Sequence, residues 1–384
     1  MNIEIFPVEN QKDLKKFVRF PMKLYKNNPY WVPPLIQEEI ETLSPDKNPA
    51  FESCEARYWL AYQKQNEGKK KKAVGRIAGI LNPSYMSRWR KNYANFGWFD
   101  FTDNGEVSQK LIQTVEAWAR EKNCTGLSGP FGFTNFDAQG MLIEGFHHLP
   151  TVASVYNYEY YPRHMESLGF NKDVDYLEFQ GPTPKSIPLK AQRVSQFLLK
   201  KSKLKLFHPR SKKDLKVYIP EVFKVINTSY RNLYSAVIFS QKQIEWYAQK
   251  YLSFLQPEFI KLILDSDNHV AGFCLALPSL SRAFQKCRGH LFPLGFIHVF
   301  HALKNPKVLD LYLIGILPPY QNKGLNAVFM SELNKVALSK NIQRFETNGE
   351  LETNQKVISI WKHYQAQQHK RRRCYFKELH PKEE

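Results

Sequence analysis

The chain has 384 residues, 43% of them hydrophobic and 14% aromatic, with 55 lysines and arginines against 36 acids for a net charge of +19. That length and apolar content exclude a disordered polypeptide and allow two ordinary domains, each with its own core. The sequence holds no apolar run of the roughly 18 residues a membrane span requires, and Met1-Asn-Ile-Glu-Ile-Phe6 lacks the basic-then-apolar order of a signal peptide. Five scattered cysteines, none in a CxxC pair, point to reduced thiols in a cytoplasmic protein and imply no metal site. Charge gathers in Lys69-Lys-Lys-Lys72, Lys200-Lys201, Lys212-Lys213 and Lys370-Arg-Arg-Arg373. Such clusters suit a polyanionic partner, either tRNA or an anionic surface. They also suit solvated loops of a basic protein, because they lie far apart and carry no interleaved aromatics.

In chain order, Ile3 to Phe17 reads as a short alternating strand, a polar turn and a helix opened by Lys12-Asp-Leu-Lys15. Arg57–Tyr62 and Ala73–Gly79 form a hairpin turning at Asn66-Glu-Gly68. A helix over Glu106–Lys122 places Val107, Leu111, Val115, Trp118 and Ala119 on one face. Ser128–Gly140 is a long glycine- and aromatic-rich loop. With the aromatic run Tyr156–Tyr161 it is a candidate acceptor-binding surface or an aromatic core edge. A short helix (Tyr158–Leu168) and a strand (Val174–Phe179) close this half, and three prolines between Gly181 and Pro188 mark a join.

The same series then begins again. Leu204 to Tyr218 repeats the opening, with Lys213-Asp-Leu-Lys216 starting its helix, and Phe259–Leu264 with Val270–Leu275 repeats the hairpin. Pro278–Leu309 has no counterpart; its Phe292–His301 reads as an apolar helix over the sheet or as a wall of a substrate pocket. A strand from Leu309 enters Pro318-Pro-Tyr320, a polar loop with one glycine, and a helix over Leu325–Lys340 with Leu325, Val328, Phe329, Leu333, Val336 and Ala337 on one face. A helix over Asn354–Gln365 and a strand over Arg373–Leu379 end the chain. These observations give an α/β fold of two tandem mixed-sheet domains related by duplication. The expected boundaries are 1–181 and 204–384, with a linker over 182–203.

A glycine loop between a strand and a helix start leaves unpaired N–H groups at the positive end of a helix dipole, a setting that favours phosphate. With that loop, Gln321-Asn-Lys-Gly-Leu-Asn326, and the surrounding order of elements, residues 204–379 resemble the GNAT superfamily of acetyl-CoA-dependent N-acyltransferases. Residues 3–179 carry a weaker echo of the same pattern. The resemblance implies acetyl-CoA or another acyl-CoA as cosubstrate, with its pyrophosphate held by backbone N–H groups of Gln321, Asn322, Lys323, Gly324 and Leu325. It further implies that the backbone of Ile316 and Leu317 pairs with the pantetheine arm and that Asn354 contacts it. Asn326 stands where the family's last glycine or alanine would be, closest to the phosphates.

The family's frequent tyrosine acid falls at Trp361, whose indole cannot donate a proton at neutral pH. Tyr364 and His363 are the nearby substitutes. Glu346, Glu350 and Glu352 are the carboxylates placed to take the proton of an acceptor amine. The first half, by contrast, enters its helix through Asp103, Asn104 and Glu106, acids that cap a helix and repel pyrophosphate, so it is expected to be a degenerate copy. The expected function is acyl transfer from CoA to a small-molecule or peptide amine. The alternatives are a Fem-like aminoacyltransferase using charged tRNA, suggested by the basic charge, and a CoA- or nucleic-acid-binding module without catalysis.

Overall fold

The structure, a computed structural model, describes residues 2–64, 71–187 and 189–379. The turn read at Asn66-Glu-Gly68, together with Lys69, Lys70 and Pro188, lies outside them. The elements begin with β1 (Ile3–Pro7), α1 (Gln11–Leu24), α2 (Ile36–Thr42), β2 (Glu55–Gln63), β3 (Lys72–Leu81), α3 (Pro83–Trp89), β4 (Tyr93–Phe101) and α4 (Gly105–Glu121). There follow β5 (Gly126–Gly129), β6 (Met141–Glu144), α5 (Tyr160–Ser167), β7 (Asn171–Pro182), α6 (Leu189–Lys201), β8 (Lys205–Phe207), α7 (Lys212–Ser229), α8 (Gln241–Leu252), β9 (Ile260–Leu264) and β10 (Val270–Pro278). The last are α9 (Ser281–Cys287), α10 (Gly295–Lys304), β11 (Val308–Ile316), α11 (Leu325–Ser339), β12 (Arg344–Thr347), β13 (Glu350–Leu351), α12 (Gln355–Trp361) and β14 (Gln367–Glu378). The repeated Lys-Asp-Leu-Lys signature is a capping device. The side chains of Asn10 and Ser211 accept the N–H groups of Asp13 and Asp214, fixing the starts of α1 and α7.

The chain divides into two compact units. One comprises Met1–Leu177, Ser281–His298 and His369–Glu384; the other comprises Glu178–Leu280 and Val299–Gln368. In the first, β1, β2, β3 and β4 pair antiparallel in turn and β4 pairs parallel with β5. The face of α4 read from the sequence is buried in full, from Val107 to Ala119. A Cβ on Gly75 of β3 would meet Leu111 and Val107 at 2.7 and 2.9 Å, so that glycine lets helix and sheet approach closely.

The closing strand read for the second half lies in the first unit's sheet. Tyr375–Glu378 of β14 pair antiparallel with β5, and Arg371–Arg373 pair with β6. The basic run is correspondingly structural. Arg371 and Arg373 converge on the fully buried Asp175, with Arg373 Nε at 2.8 Å and Arg371 Nη1 at 3.2 Å. Lys370 donates to the Leu149 carbonyl at 2.9 Å, and Arg372 donates to the Val155 carbonyl. Burial raises the pKa of Asp175, but the hydrogen bond and charge of Arg373 outweigh it and hold the carboxyl below its usual range.

In the second unit the strand order is β7, β12, β11, β10, β9, β8, with β11 and β12 parallel and the other pairs antiparallel. Here the end of β7 takes part: Gln180, Gly181 and Pro182 pair with Glu346, Phe345 and Arg344 of β12. The read face of α11 is buried at Leu325, Val328, Phe329, Leu333 and Ala337, while Val336 is buried only in part. Residues 182–203, read as a linker, contain α6, which packs on α11. All five cysteines are free and buried. No helix among the described residues is long and apolar enough to cross a membrane.

Candidate functional site: an open strand edge and an uncapped helix

β11 pairs with β10 from Leu309 opposite Pro278 to Ile316 opposite Gly272, but it pairs with β12 only from Val308 to Leu311. The strands part at a bulge. Leu311 and Leu313 face the adjacent residues Ala276 and Leu275, leaving Tyr312 as the extra residue. Past the bulge, one edge of β11 has no partner strand among the described residues. Leu317 donates its N–H to the Ala271 carbonyl at 2.9 Å, and antiparallel ladders alternate, so the polar groups of Ile314 and Ile316 turn to the open edge. Two side chains bind there: the Tyr230 hydroxyl donates to the Ile314 carbonyl at 3.0 Å, and Gln321 Nε2 donates to the Ile316 carbonyl at 2.9 Å.

Two of the residues read as backbone ligands use their groups internally. Leu317 accepts from the Tyr320 N–H at 2.9 Å besides donating to Ala271, and the Gln321 N–H closes the turn on the Pro318 carbonyl at 3.2 Å. The free donors therefore begin one residue later. Among the described residues, nothing accepts the N–H groups of Asn322, Lys323, Gly324, Leu325 and Asn326. Asn322 and Gly324 adopt φ values of 59° and 76°, which swing the chain into α11. Gly324 is its N-cap, with no side-chain cap. A Cβ on Gly324 would lie 2.8 Å from Leu198 Cδ1 of α6. Asn326, on the first turn of α11, is half-buried.

Two ammonium groups attend this exposed loop. Lys323 Nζ lies 5.3 Å from the Tyr320 ring centre, and Lys356 Nζ of α12 reaches Asn322 Oδ1 at 3.5 Å. Sequence reading missed Lys356, Tyr230 and Leu198, because only the tertiary fold brings them to the loop. Asn354 begins α12 without a side-chain cap bond.

The carboxylates read from sequence divide by environment. Glu346 is buried on β12 opposite Asp310 of β11, which is itself fully buried. The Tyr312 hydroxyl lies near both, has no hydrogen-bond partner among the described residues, and is held well above the usual phenol range by burial and then by the Asp310 charge. The carboxyl of Glu350 accepts the Trp361 indole N–H at 2.7 Å; burial pushes its pKa up to about 8, against the smaller lowering effect of that bond. Glu352 lies in the turn before α12, where its carbonyl accepts from Gln355 Nε2 at 2.8 Å. Tyr364 stands beside Phe345 and Trp361 at ring separations of 6.2 Å. Burial raises its pKa against a hydrogen bond from Asn334.

The matching places in the first unit are filled from within. Asn104 Oδ1 accepts the Glu106 N–H at 2.9 Å and caps α4. The Phe131 N–H takes the Phe96 carbonyl at 3.0 Å, the Tyr161 hydroxyl accepts the Phe101 N–H at 3.1 Å, and Tyr160 donates to the Phe101 carbonyl. In the loop read as a possible acceptor surface, Asp137 accepts the N–H groups of Phe133 and Thr134 at 2.8 and 3.0 Å, and Phe131 and Phe133 are buried. That is a tight turn packed into the core.

No protein-family model matches the chain. It is 26% identical to protein YghO of Escherichia coli (strain K12) over 96% of this chain and 94% of that one. It is 23% identical to a bacterial ceramide synthase of Caulobacter vibrioides over 98% of both. Among solved structures, a tandem GNAT protein from the clavulanic acid biosynthesis pathway matches the whole of both chains at a TM-score of 0.57 and 10% identity. A GCN5-related N-acetyltransferase from Sphaerobacter thermophilus matches 99% of this chain and 96% of its own at a TM-score of 0.51 and 12% identity. What this likeness establishes is the fold: the chain is folded as tandem GNAT proteins are.

Proposed function

We propose that the second unit binds an acyl-CoA and transfers its acyl group to an amine. The observation that carries this reading is a pair of free donor sets, one at the open edge of β11 (Ile314 and Ile316) and one at the uncapped start of α11 (Asn322–Asn326). Such a pair fits an extended amide-bearing arm that ends in a diphosphate. Acyl-CoA supplies the thioester: the amine nitrogen bonds to its carbonyl carbon, the C–S bond breaks, and the sulfur leaves as thiolate. The chain's own residues do the rest. Backbone donors of β11 hold the arm and polarise the carbonyl, while Asn322–Asn326, with Lys323 and Lys356, hold the phosphates. Glu350, its pKa raised by burial to about 8, takes the ammonium proton in its ionised form, and Tyr364, kept neutral by burial, returns a proton to the thiolate.

The name of the Caulobacter relative supports a long-chain amine as acceptor, since a ceramide is the amide of such an amine. Calorimetry with CoA tests the first claim: binding is expected, and its absence at millimolar ligand overturns the reading. Gly324→Glu should abolish binding. Its left-handed backbone and the nearby Leu198 methyl also cost about 1–2 kcal/mol of stability, so exposed Lys323→Glu serves as the arm that leaves the fold alone. Thiol release from long-chain acyl-CoA with a sphingoid base, compared with a peptide amine, then identifies the acceptor class.

A further inference from the structure

The segment that has no counterpart in the first half carries an unusual surface. Phe292, Leu294, Phe296, Ile297 and Phe300 are 78%, 66%, 46%, 49% and 64% exposed, five of the thirteen large exposed apolar side chains among the described residues, all within nine positions. They make a patch, whereas most of the others are scattered singly over the surface. The expectation that this apolar run packs over the sheet is thus not met; of α10, only Val299 is buried.

The base of the patch is firmly held within the first unit. Ser281 Oγ donates to the Pro150 carbonyl at 2.7 Å, and Gln285 Nε2 donates to the carbonyls of Pro29 and Trp31 at 2.8 and 3.0 Å. The Gly289 carbonyl accepts the Ile36 N–H at 2.9 Å. Fixed support of this kind presents the aromatic side chains outward.

Charge decides what the patch meets. From Asn268 to Leu309 the sequence contains no acid, while Arg282, Lys286, Arg288, Lys304 and Lys307 are all exposed and basic. Exposed phenylalanine and leucine in a segment whose charged residues are all cations fit the interface of an anionic bilayer, where the rings enter the acyl boundary and the cations meet phosphate headgroups. We infer that residues 291–300 dock the protein on an anionic phospholipid surface. This inference is independent of the acyl-transfer reading, because it rests on different residues and a different ligand.

The test is co-sedimentation of the full chain with vesicles of phosphatidylcholine, with or without a third of phosphatidylglycerol. Binding is expected only with the anionic lipid, falling as salt rises. The combined change Phe292→Ser, Leu294→Ser and Phe300→Ser should weaken it at least tenfold with an unchanged thermal melt. Arg288→Glu with Lys304→Glu, which leaves the apolar residues in place, should weaken it comparably and serves if the serine variant folds poorly. Failure of the wild type to bind anionic vesicles at low salt overturns the inference, as does undiminished binding by both variants. Light scattering that shows a dimer dissolved by the serine changes, without vesicle binding, would assign the patch to a second copy of the chain instead.

Discussion

The start of α4 and the start of α11 stand at the same point in two copies of one pattern, yet they differ in a single respect. Asn104 folds its own side chain onto the first turn of α4, whereas Gly324 has no side chain and leaves the first turn of α11 bare. The strands that feed these helices differ likewise. Phe131, Tyr160 and Tyr161 occupy β4, while on β11 the carbonyls of Ile314 and Ile316 are taken by Tyr230 and Gln321 and their N–H groups are left at the diverging edge. A helix start and a splayed strand become a binding site only where the protein refrains from satisfying its own backbone. One unit traded that capacity for internal bonds, exemplified by the buried Tyr25–Asp100–Arg76 network at 2.9 and 2.7 Å.

The sharpest way to separate the two units is to end the chain after Gln368. The first unit then loses the strand that pairs with β5 and β6 and leaves Asp175 buried without Arg371 and Arg373. Loss of a paired strand and of such an ion cluster exceeds the stability of an ordinary domain. Limited proteolysis should digest residues 1–177 rapidly; protection equal to that of the full chain would refute the exchange of the last strand.

A smaller effect concerns Glu350. Its folded pKa of about 8 lies above the ordinary carboxyl value of 4.5, so between these values the native state binds a proton that the unfolded chain does not. Its contribution is full below about pH 4.5 and lost as pH rises through 8. The melting temperature of the wild type should therefore fall across that window, and Glu350→Gln should flatten the fall. If Glu350 also takes the amine proton, kcat of the wild type rises with an apparent pKa near 8, and the glutamine variant loses that rise. A flat profile in both would remove Glu350 from both roles.

The smallest changes contrast the two helix starts directly. Asn104→Ala should cost about 1 kcal/mol of stability and leave CoA affinity unchanged. Lys356→Ala should do the reverse, weakening CoA roughly two- to five-fold at low salt with little effect on the melt, as befits one exposed charge. Equal effects of both substitutions on CoA would erase the distinction between the two units.

Much of this was legible in the sequence because it is local. Lys-Asp-Leu-Lys announces two helix starts, the stripes from Val107 to Ala119 and from Leu325 to Ala337 announce their buried faces, and Gly324 in a polar loop announces the start of α11. What stayed hidden depends on contacts distant in sequence. Nothing local states which sheet β14 joins, since its alternation suits either. Lys370–Arg373 reads as solvated charge until Asp175 is placed beside two of its members. Phe292–Phe300 reads as core because composition records how apolar a segment is and not what covers it. Leu317 and Gln321 look like free donors until Ala271 and Pro318 are seen to accept from them.

The placement of β14 also bears on how the protein is made. The first unit to leave the ribosome lacks its closing strand until β14 is synthesised, so β5 waits with an unpaired edge while roughly 245 residues (Gly129 to Tyr375) are made. The second unit suffers no such delay, because the segment of β7 that it borrows has already emerged. Completion thus runs against the direction of synthesis. A premature stop or a nick near the C-terminus damages the end of the protein that was built first.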